Sequence, residues 1–242
     1  VLSTSLPLVA GEKQSSSPVM KDMISPMENT VYFLPNSDAR QSQIYFYIPM
    51  GDYNREENVR REAFNQYISG GFSGLIMNEI REKNSMAYTA YGFASSRGLP
   101  GAQTYFSGYI GTQNDKAVDA IDLYMKLLTD MPERPGRIDN IKSYLRQSAL
   151  TDHPDSRNLS LRIAEWKRRG YTDDPAKEEL PLIDSLTFPD IVDYYQKNIK
   201  GKPIIIGVLG NPKDISIDAL KKFGKVIRLN EKKLFNEKDT MF

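Results

Sequence analysis

The 242-residue chain contains no cysteine and a single histidine. Without cysteine there is no disulfide, no thiolate nucleophile and no Cys-based zinc site. The lone imidazole is nearly as restrictive. Zinc and non-haem iron centres draw on two or three histidines, and a His-based triad needs one beside a nucleophile. His153 lies in Thr151-Asp152-His153-Pro154-Asp155-Ser156, a polar, proline-containing stretch with the chemistry of an exposed turn or helix end. A complete metal site or triad within this chain is therefore not expected. Long apolar runs are missing too: no stretch of about 18 apolar residues could span a bilayer. Neither sign of charge is in real excess, with 32 Lys+Arg against 31 Asp+Glu and a net charge of +1. No electrostatic field argues for nucleic acid or an anionic membrane as partner. The opening Val1–Gly11 has neither a basic n-region nor a Met, and reads as the ragged start of a fragment rather than as a signal peptide.

What is present is ordinary globular material, 40% hydrophobic and 26% charged. Residues 1–28 are rich in Ser, Pro, Met and Lys without periodicity, as in a linker or extended arm. Residues 231–242 form a charged tail. No break in composition divides 29–230, so one domain is expected there. From Gln43 to Pro49 the sequence alternates, with Ile44, Phe46 and Ile48 on one face and Tyr45 and Tyr47 on the other, the signature of a strand. Asn54 and Glu57 can cap a helix whose apolar residues Val59, Ala63, Phe64, Tyr67 and Ile68 end at Gly70-Gly71. Met86–Ala94 and Gln103–Thr112 read as an antiparallel hairpin, and Val118, Ile121, Met125 and Leu128 as the stripe of a further helix. Helical patterns recur around Ile138–Leu145, Asn158–Arg169 and Phe188–Asn198. Pro203–Leu209 can only be a buried strand, followed by a small helix at Asp214–Phe223 and a last strand at Lys225–Leu229. Strands and helices mixed in this way predict an α+β fold: a largely antiparallel sheet with helices packed on one face.

Few residues carry recognisable chemistry. Gly70-Gly71-Phe72-Ser73-Gly74 follows a helix and lacks the Gly-Lys-[Ser/Thr] ending of a phosphate loop, so it reads as a helix stop and tight turn. Gly207 and Gly210 read as a strand-end turn. Between the first turn and the hairpin, Arg81 and Tyr88 flank the junction of a short helix and a strand. By residue type alone, Arg81 is a basic group near a helix C-terminus and Tyr88 an ordinary strand tyrosine.

The stretch Gly70–Tyr88, with its glycine turn, its Arg81-Glu82-Lys83 and its Ala87-Tyr88, closely resembles the non-catalytic half of the pitrilysin/insulinase and mitochondrial-processing-peptidase family of zinc metallopeptidases. Two further segments are similar to that family in the same order: Tyr105–Lys116, and Ile204–Asn211 with Leu220–Val226. The resemblance implies a processing-peptidase-like α/β sandwich and a chain that pairs with a catalytic half. That half would carry the inverted zinc motif, on the same polypeptide or on a separate subunit, and zinc is expected there and not here. At the corresponding helix this chain offers Phe64, Asn65, Gln66 and Tyr67, with no His. The resemblance assigns Arg81 and Tyr88 to substrate and transition-state contacts, and Gly70, Gly71 and Gly74 to a turn near a peptide substrate. No catalytic residue and no metal ligand is expected within this chain alone, which by itself should be inactive. Two alternatives stay open: an inactive, purely structural member of the same fold family, or an α+β protein-binding module docking through Tyr45, Tyr47, Tyr105 and Tyr109. The resemblance has a bacterial flavour, with cytoplasm and periplasm both open.

Overall fold

A computed structural model describes residues 23–152 and 154–231. His153, most of the expected arm and nearly all of the expected tail lie outside these residues. The strands are β1 (Thr30–Pro35), β2 (Gln41–Asp52), β3 (Thr89–Ser95), β4 (Gln103–Gln113), β5 (Ile205–Gly210) and β6 (Lys225–Arg228). They form one six-stranded sheet in the order β3-β4-β2-β5-β1-β6. The β3–β4, β4–β2 and β2–β5 pairs are antiparallel, while β5–β1 and β1–β6 are parallel. The sheet is thus largely antiparallel, with a parallel flank at the end where the chain finishes.

The helices are α1 (Asn58–Ser69), α2 (Ala117–Thr129), α3 (Ile138–Thr151), α4 (Leu159–Arg168), α5 (Pro175–Ser185), α6 (Phe188–Asn198) and the single turn α7 (Ile217–Leu220). Period-two alternation decides which face of the sheet they cover. In β2, Ser42, Ile44, Phe46, Ile48 and Met50 are buried, and Tyr45 between them is 52% exposed. β4 buries Thr104, Phe106, Gly108 and Ile110 on the same side. Against that side lie Phe64 and Tyr67 of α1, Ile121 and Tyr124 of α2, and Ile191 and Tyr194 of α6. Among the described residues no helix covers the opposite face. It presents Tyr91 stacked on Phe93 at 5.8 Å, with Tyr109 5.4 Å from Tyr91 and Tyr45 5.2 Å from Tyr109.

Two local devices fix the β3 end of the sheet. Gly92 and Gly108 are cross-strand partners, and a Cβ on either would overlap the Tyr124 hydroxyl. Tyr124 fills the hole they leave, stacks on Phe46 with centroids 4.0 Å apart, and donates to the Tyr91 carbonyl at 2.9 Å. Burial pushes its phenol well above the ordinary value, so it stays a donor. The second device guards an edge. Ala94 N–H donates to Asn65 Oδ1 at 2.7 Å, Asn65 Nδ2 donates to Ala94 O at 3.1 Å, and Gly92 N–H donates to Ser69 Oγ at 2.8 Å. Side chains of α1 therefore stand where a further strand would pair with β3, which closes that edge to strand addition.

Several boundaries differ from those expected. Strand β3 starts at Thr89, because Met86 and Ala87 belong to the turn before it. The segment expected as an α-helix before it is π-helical over Met77–Lys83. Helix α5 was not anticipated: Pro181 lies inside it and reads as a breaker in sequence. Asn54 does cap, but its Oδ1 accepts from Glu56 N at 2.9 Å and caps a 3₁₀ turn ahead of α1. Strand β5 is central but buries only alternate residues, Ile206, Val208 and Gly210, since its other face is the open one.

The glycine hole yields a stability prediction. Gly108→Ala should destabilise the fold by about 1–3 kcal/mol through overpacking against Tyr124. Gly136→Ala, where an added Cβ meets nothing within 4 Å, should stay within about 0.5 kcal/mol of the parent. Denaturant unfolding measures both, and equal midpoints for the two variants would show that the hole is not a constraint.

Candidate functional site

Arg81 and Tyr88 meet at one pocket of about 340 Å³. Arg81, Glu82, Ser85, Met86, Ala87 and Tyr88 line one side of it, and Thr112, Gln113 and Lys116 the other. The first side is the end of the π-helical segment and the turn into β3. The second is the end of β4 and the 3₁₀ turn Asn114–Lys116 that starts α2. Pairing of β3 with β4 brings the two together, since Tyr88 N–H donates to Gly111 O at 2.9 Å.

The segment holding Arg81 is anchored by four contacts. Ile80 is fully buried in the core. Met86 N–H donates to Ile80 O at 2.9 Å, closing the wide turn. Glu79, whose side chain is only 14% exposed, accepts from Lys83 at 2.9 Å and from Arg134. Asn84 Nδ2 donates to the Glu79 carbonyl at 2.7 Å. A π-helix gives one turn an extra residue, and such segments recur at functional sites. Ser85 then takes φ +50°, a left-handed conformation uncommon for a residue with a Cβ.

On the other side, Asn114 holds the corner. Its Oδ1 accepts from Ser42 Oγ at 2.7 Å and from Asn211 N–H at 3.2 Å, and its Nδ2 donates to Ala39 O at 2.8 Å. One buried amide thus ties β2, the end of β4 and the segment after β5, and so fixes where Gln113 and Lys116 emerge. Thr112 Oγ1 donates to the Met86 carbonyl, joining both sides across the floor of the pocket.

The polar groups in the pocket are mostly donors. Gln113 Nε2 donates to the Tyr88 hydroxyl oxygen at 3.1 Å, which leaves the Tyr88 proton to be donated elsewhere. Tyr88 is 52% exposed. Among the described residues the Arg81 guanidinium has one ionic partner, Glu82, with Nε to Oε1 at 3.6 Å and both side chains about half exposed. Lys116 Nζ donates to the Ser85 carbonyl at 3.2 Å. The arrangement can present a phenol O–H, a guanidinium and an ammonium to one oxygen-bearing ligand.

The structure brings Arg81 and Tyr88 together, but Gly70, Gly71 and Gly74 do not line their pocket. Gly70 and Gly74 have backbone atoms of Gln66 and Ser69 where a Cβ would go, and Gly71 takes φ +60°. Their turn is held from behind by Arg137, whose guanidinium lies 5.0 Å over the Tyr67 ring and donates to Tyr67 O at 3.2 Å. Gln113, Lys116 and Ser85 were not singled out from sequence. The first two lie in the Tyr105–Lys116 segment that carried part of the resemblance, which was the one signal for them. Tyr45, Tyr47, Tyr105 and Tyr109 all lie on the open face of the sheet, joined there by Tyr91 and Phe93. Among the described residues no group of three or more His, Cys, Asp or Glu side chains could hold a metal ion. None of their helices is long and apolar enough to cross a membrane.

A family model described as "Peptidase M16 inactive domain" matches residues 12–135. No curated protein matches the sequence. Among solved structures, the fold is similar to a peptidase M16 inactive domain from Pseudomonas fluorescens, with TM-score 0.65 and 15% identity over 81% of this chain and 47% of that one. A protease from Helicobacter pylori gives 0.64 and 14% over 83% and 48%. The periplasmic protease PqqL from Escherichia coli gives 0.62 and 16% over 81% and 22%. This chain therefore spans about half the length of the first two and about a fifth of the third. At such identities the likeness is one of fold.

The Glu79 cradle makes a pH prediction. Burial works to raise its carboxyl, but the hydrogen bond from Lys83 and the charge of Arg134 win and hold it below the ordinary 4.5. Glu79 therefore stabilises the fold above that value, and the contribution is lost as pH falls through the lower folded value. Unfolding free energies of the parent and Glu79→Gln should differ at neutral pH, and the gap should close as pH falls below the ordinary 4.5 and through the lower folded value. A gap that stays constant across this range would remove Glu79 as the anchor.

Proposed function

The chain belongs to the peptidase M16 inactive-domain family, and from that premise we propose that it is the non-catalytic half of a zinc-dependent endopeptidase. In this reading it closes over a bound peptide and lends donors to a site carried by the other half. The observation behind it is the convergence of Arg81 and Tyr88 on one pocket, with the Tyr88 oxygen already engaged by Gln113. A phenol whose oxygen is occupied has its proton free for an incoming acceptor.

Zinc on the catalytic half would supply an activated water to the scissile carbonyl. The residues of this chain answer the negative charge that then develops on the carbonyl oxygen. Tyr88 donates its O–H, and Arg81 offers its guanidinium to the same oxygen or to a neighbouring carbonyl, as preorganised donors do. Both are about half exposed in this chain alone. Closure against the other half would remove water from around them and strengthen each contact. The sealed edge of β3 supports a side-chain mode of contact, because a peptide cannot add to that edge as a strand while Asn65 and Ser69 fill it.

A second reading, docking of a protein partner, is favoured by one observation. The open face of the sheet exposes Tyr45, Tyr91 and Phe93 at 52%, 38% and 40%. Large aromatics contiguous on a face that no described helix covers suit contact with another polypeptide, and the two readings are compatible.

Reconstitution with the catalytic half tests the first reading. Tyr88→Phe and Arg81→Ala should each lower kcat/KM by at least about tenfold, toward the 10²–10³ typical of a lost oxyanion donor. Circular dichroism should show both variants folded. Parental rates in both would refute the assignment.

A further inference from the structure

The reading above gives Tyr88 and Arg81 to the oxygen of the scissile carbonyl and leaves Lys116, which lines the same pocket, without a task. Two cations, Arg81 and Lys116, face the pocket, and Glu82 is the one carboxylate among its lining residues. Glu82 lies against Arg81 at 3.6 Å. Among the described residues Lys116 has no carboxylate partner. Its hydrogen bond goes to a neutral acceptor, the carbonyl of left-handed Ser85, at 3.2 Å.

Stability does not account for Lys116. It is the N-cap residue of α2, where the positive end of the helix dipole disfavours a cation. An ammonium held at an unfavourable end, turned across a pocket and left without a counter-charge, is placed for a ligand's charge rather than for the fold.

Resting on the reading that this pocket meets a peptide, we infer that Lys116 makes it a receptor for a peptide carboxylate, bound beside the carbonyl oxygen that Tyr88 and Arg81 engage. The carboxylate replaces the Ser85 carbonyl as partner of Nζ. Arg81, only loosely paired with Glu82, can turn a second N–H toward it. The displaced Ser85 carbonyl is left to water. The carboxylate has two chemical sources, an Asp or Glu side chain near the held bond or the free C-terminus of a short peptide.

The test uses the enzyme assembled from this chain and its catalytic half. Four peptides share one sequence, with Glu or Gln flanking the cleaved bond and with a free or amidated C-terminus. The parent should prefer a carboxylate-bearing peptide by about three- to fivefold in kcat/KM, expressed in KM, with the preference shrinking as salt rises. The Glu/Gln ratio and the acid/amide ratio say which source is used. In Lys116→Met the ratio that departed from one should fall to one, while Lys116→Arg should keep it. A ratio is unmoved by a variant that is merely less stable, since all four peptides meet the same enzyme. Both ratios near one in the parent, or a preference that survives Lys116→Met, overturns the inference. If Tyr88→Phe and Arg81→Ala still slow cleavage in that case, the oxyanion reading stands without it. If those variants also run at the parental rate, both fall together.

Discussion

The Tyr124 ring, lying under the facing glycines Gly92 and Gly108, is the contact on which the rest of the architecture depends. A sheet with side chains at both positions would hold α2 away from its surface. With neither, the helix comes close enough for Tyr124 to stack on Phe46 of β2 and reach the Tyr91 carbonyl of β3. One residue thus touches three strands in effect: the hole in β3 and β4, and the ring of β2. The hairpin is pinned to α2 at mid-length, so its ends cannot drift separately. Tyr88 precedes β3, Gln113 ends β4 and Lys116 follows it. The distance between the two sides of the pocket is therefore set by packing several residues away, inside the core.

The two sides are held by different forces. Asn114 fixes the β4 side with neutral hydrogen bonds to Ala39 and Ser42 at the entry into β2 and to Asn211 after β5. Such a network is insensitive to salt and costly to break. The Arg81 side hangs on the Glu79–Lys83–Arg134 cluster and on one wide turn around Ile80. Lys83 is largely exposed there, so salt weakens part of that cluster. The donor on the stiff side, Gln113, grips the Tyr88 oxygen, while Arg81 sits on the softer side with a loose partner. In the reading proposed above, one fixed donor and one that can turn suit a site that accepts differing peptides.

The sequence was most legible where one face of an element is buried. The alternation in β2 and the stripe through Ile121 and Leu128 of α2 were both plain, because burial on one side forces a period. The same reasoning failed where burial has no period. Met86 and Ala87 look like the start of a strand, yet their apolar bodies line the turn before it. Pro181 hid α5, because a helix is expected to stop at a proline even when packing holds it together. The parallel pairs of β1 needed knowledge of which distant strands neighbour it. For the site, Arg81 and Tyr88 came from a resemblance and not from their own chemistry. The contacts of Gln113 and Lys116 were invisible for a physical reason. Residue 116 meets residue 85 through strand pairing, and no local pattern records a contact across 31 positions.

The position of β5 has a consequence for how the protein is made. Both strand neighbours of β1, and one of the two flanking β2, come from beyond residue 204. During synthesis from the N-terminus, β1 leaves the ribosome well before β5 and β6, the two strands that pair with it. The hairpin and α2 can associate before then, but the centre of the sheet stays open, with Val31, Phe33, Ile44 and Phe46 next to the gap. Closing it is a late, long-range insertion of one strand between two waiting edges, which loop-closure entropy makes slow. Through that interval the nascent chain exposes the kind of apolar edge that chaperones bind and that neighbouring copies misjoin.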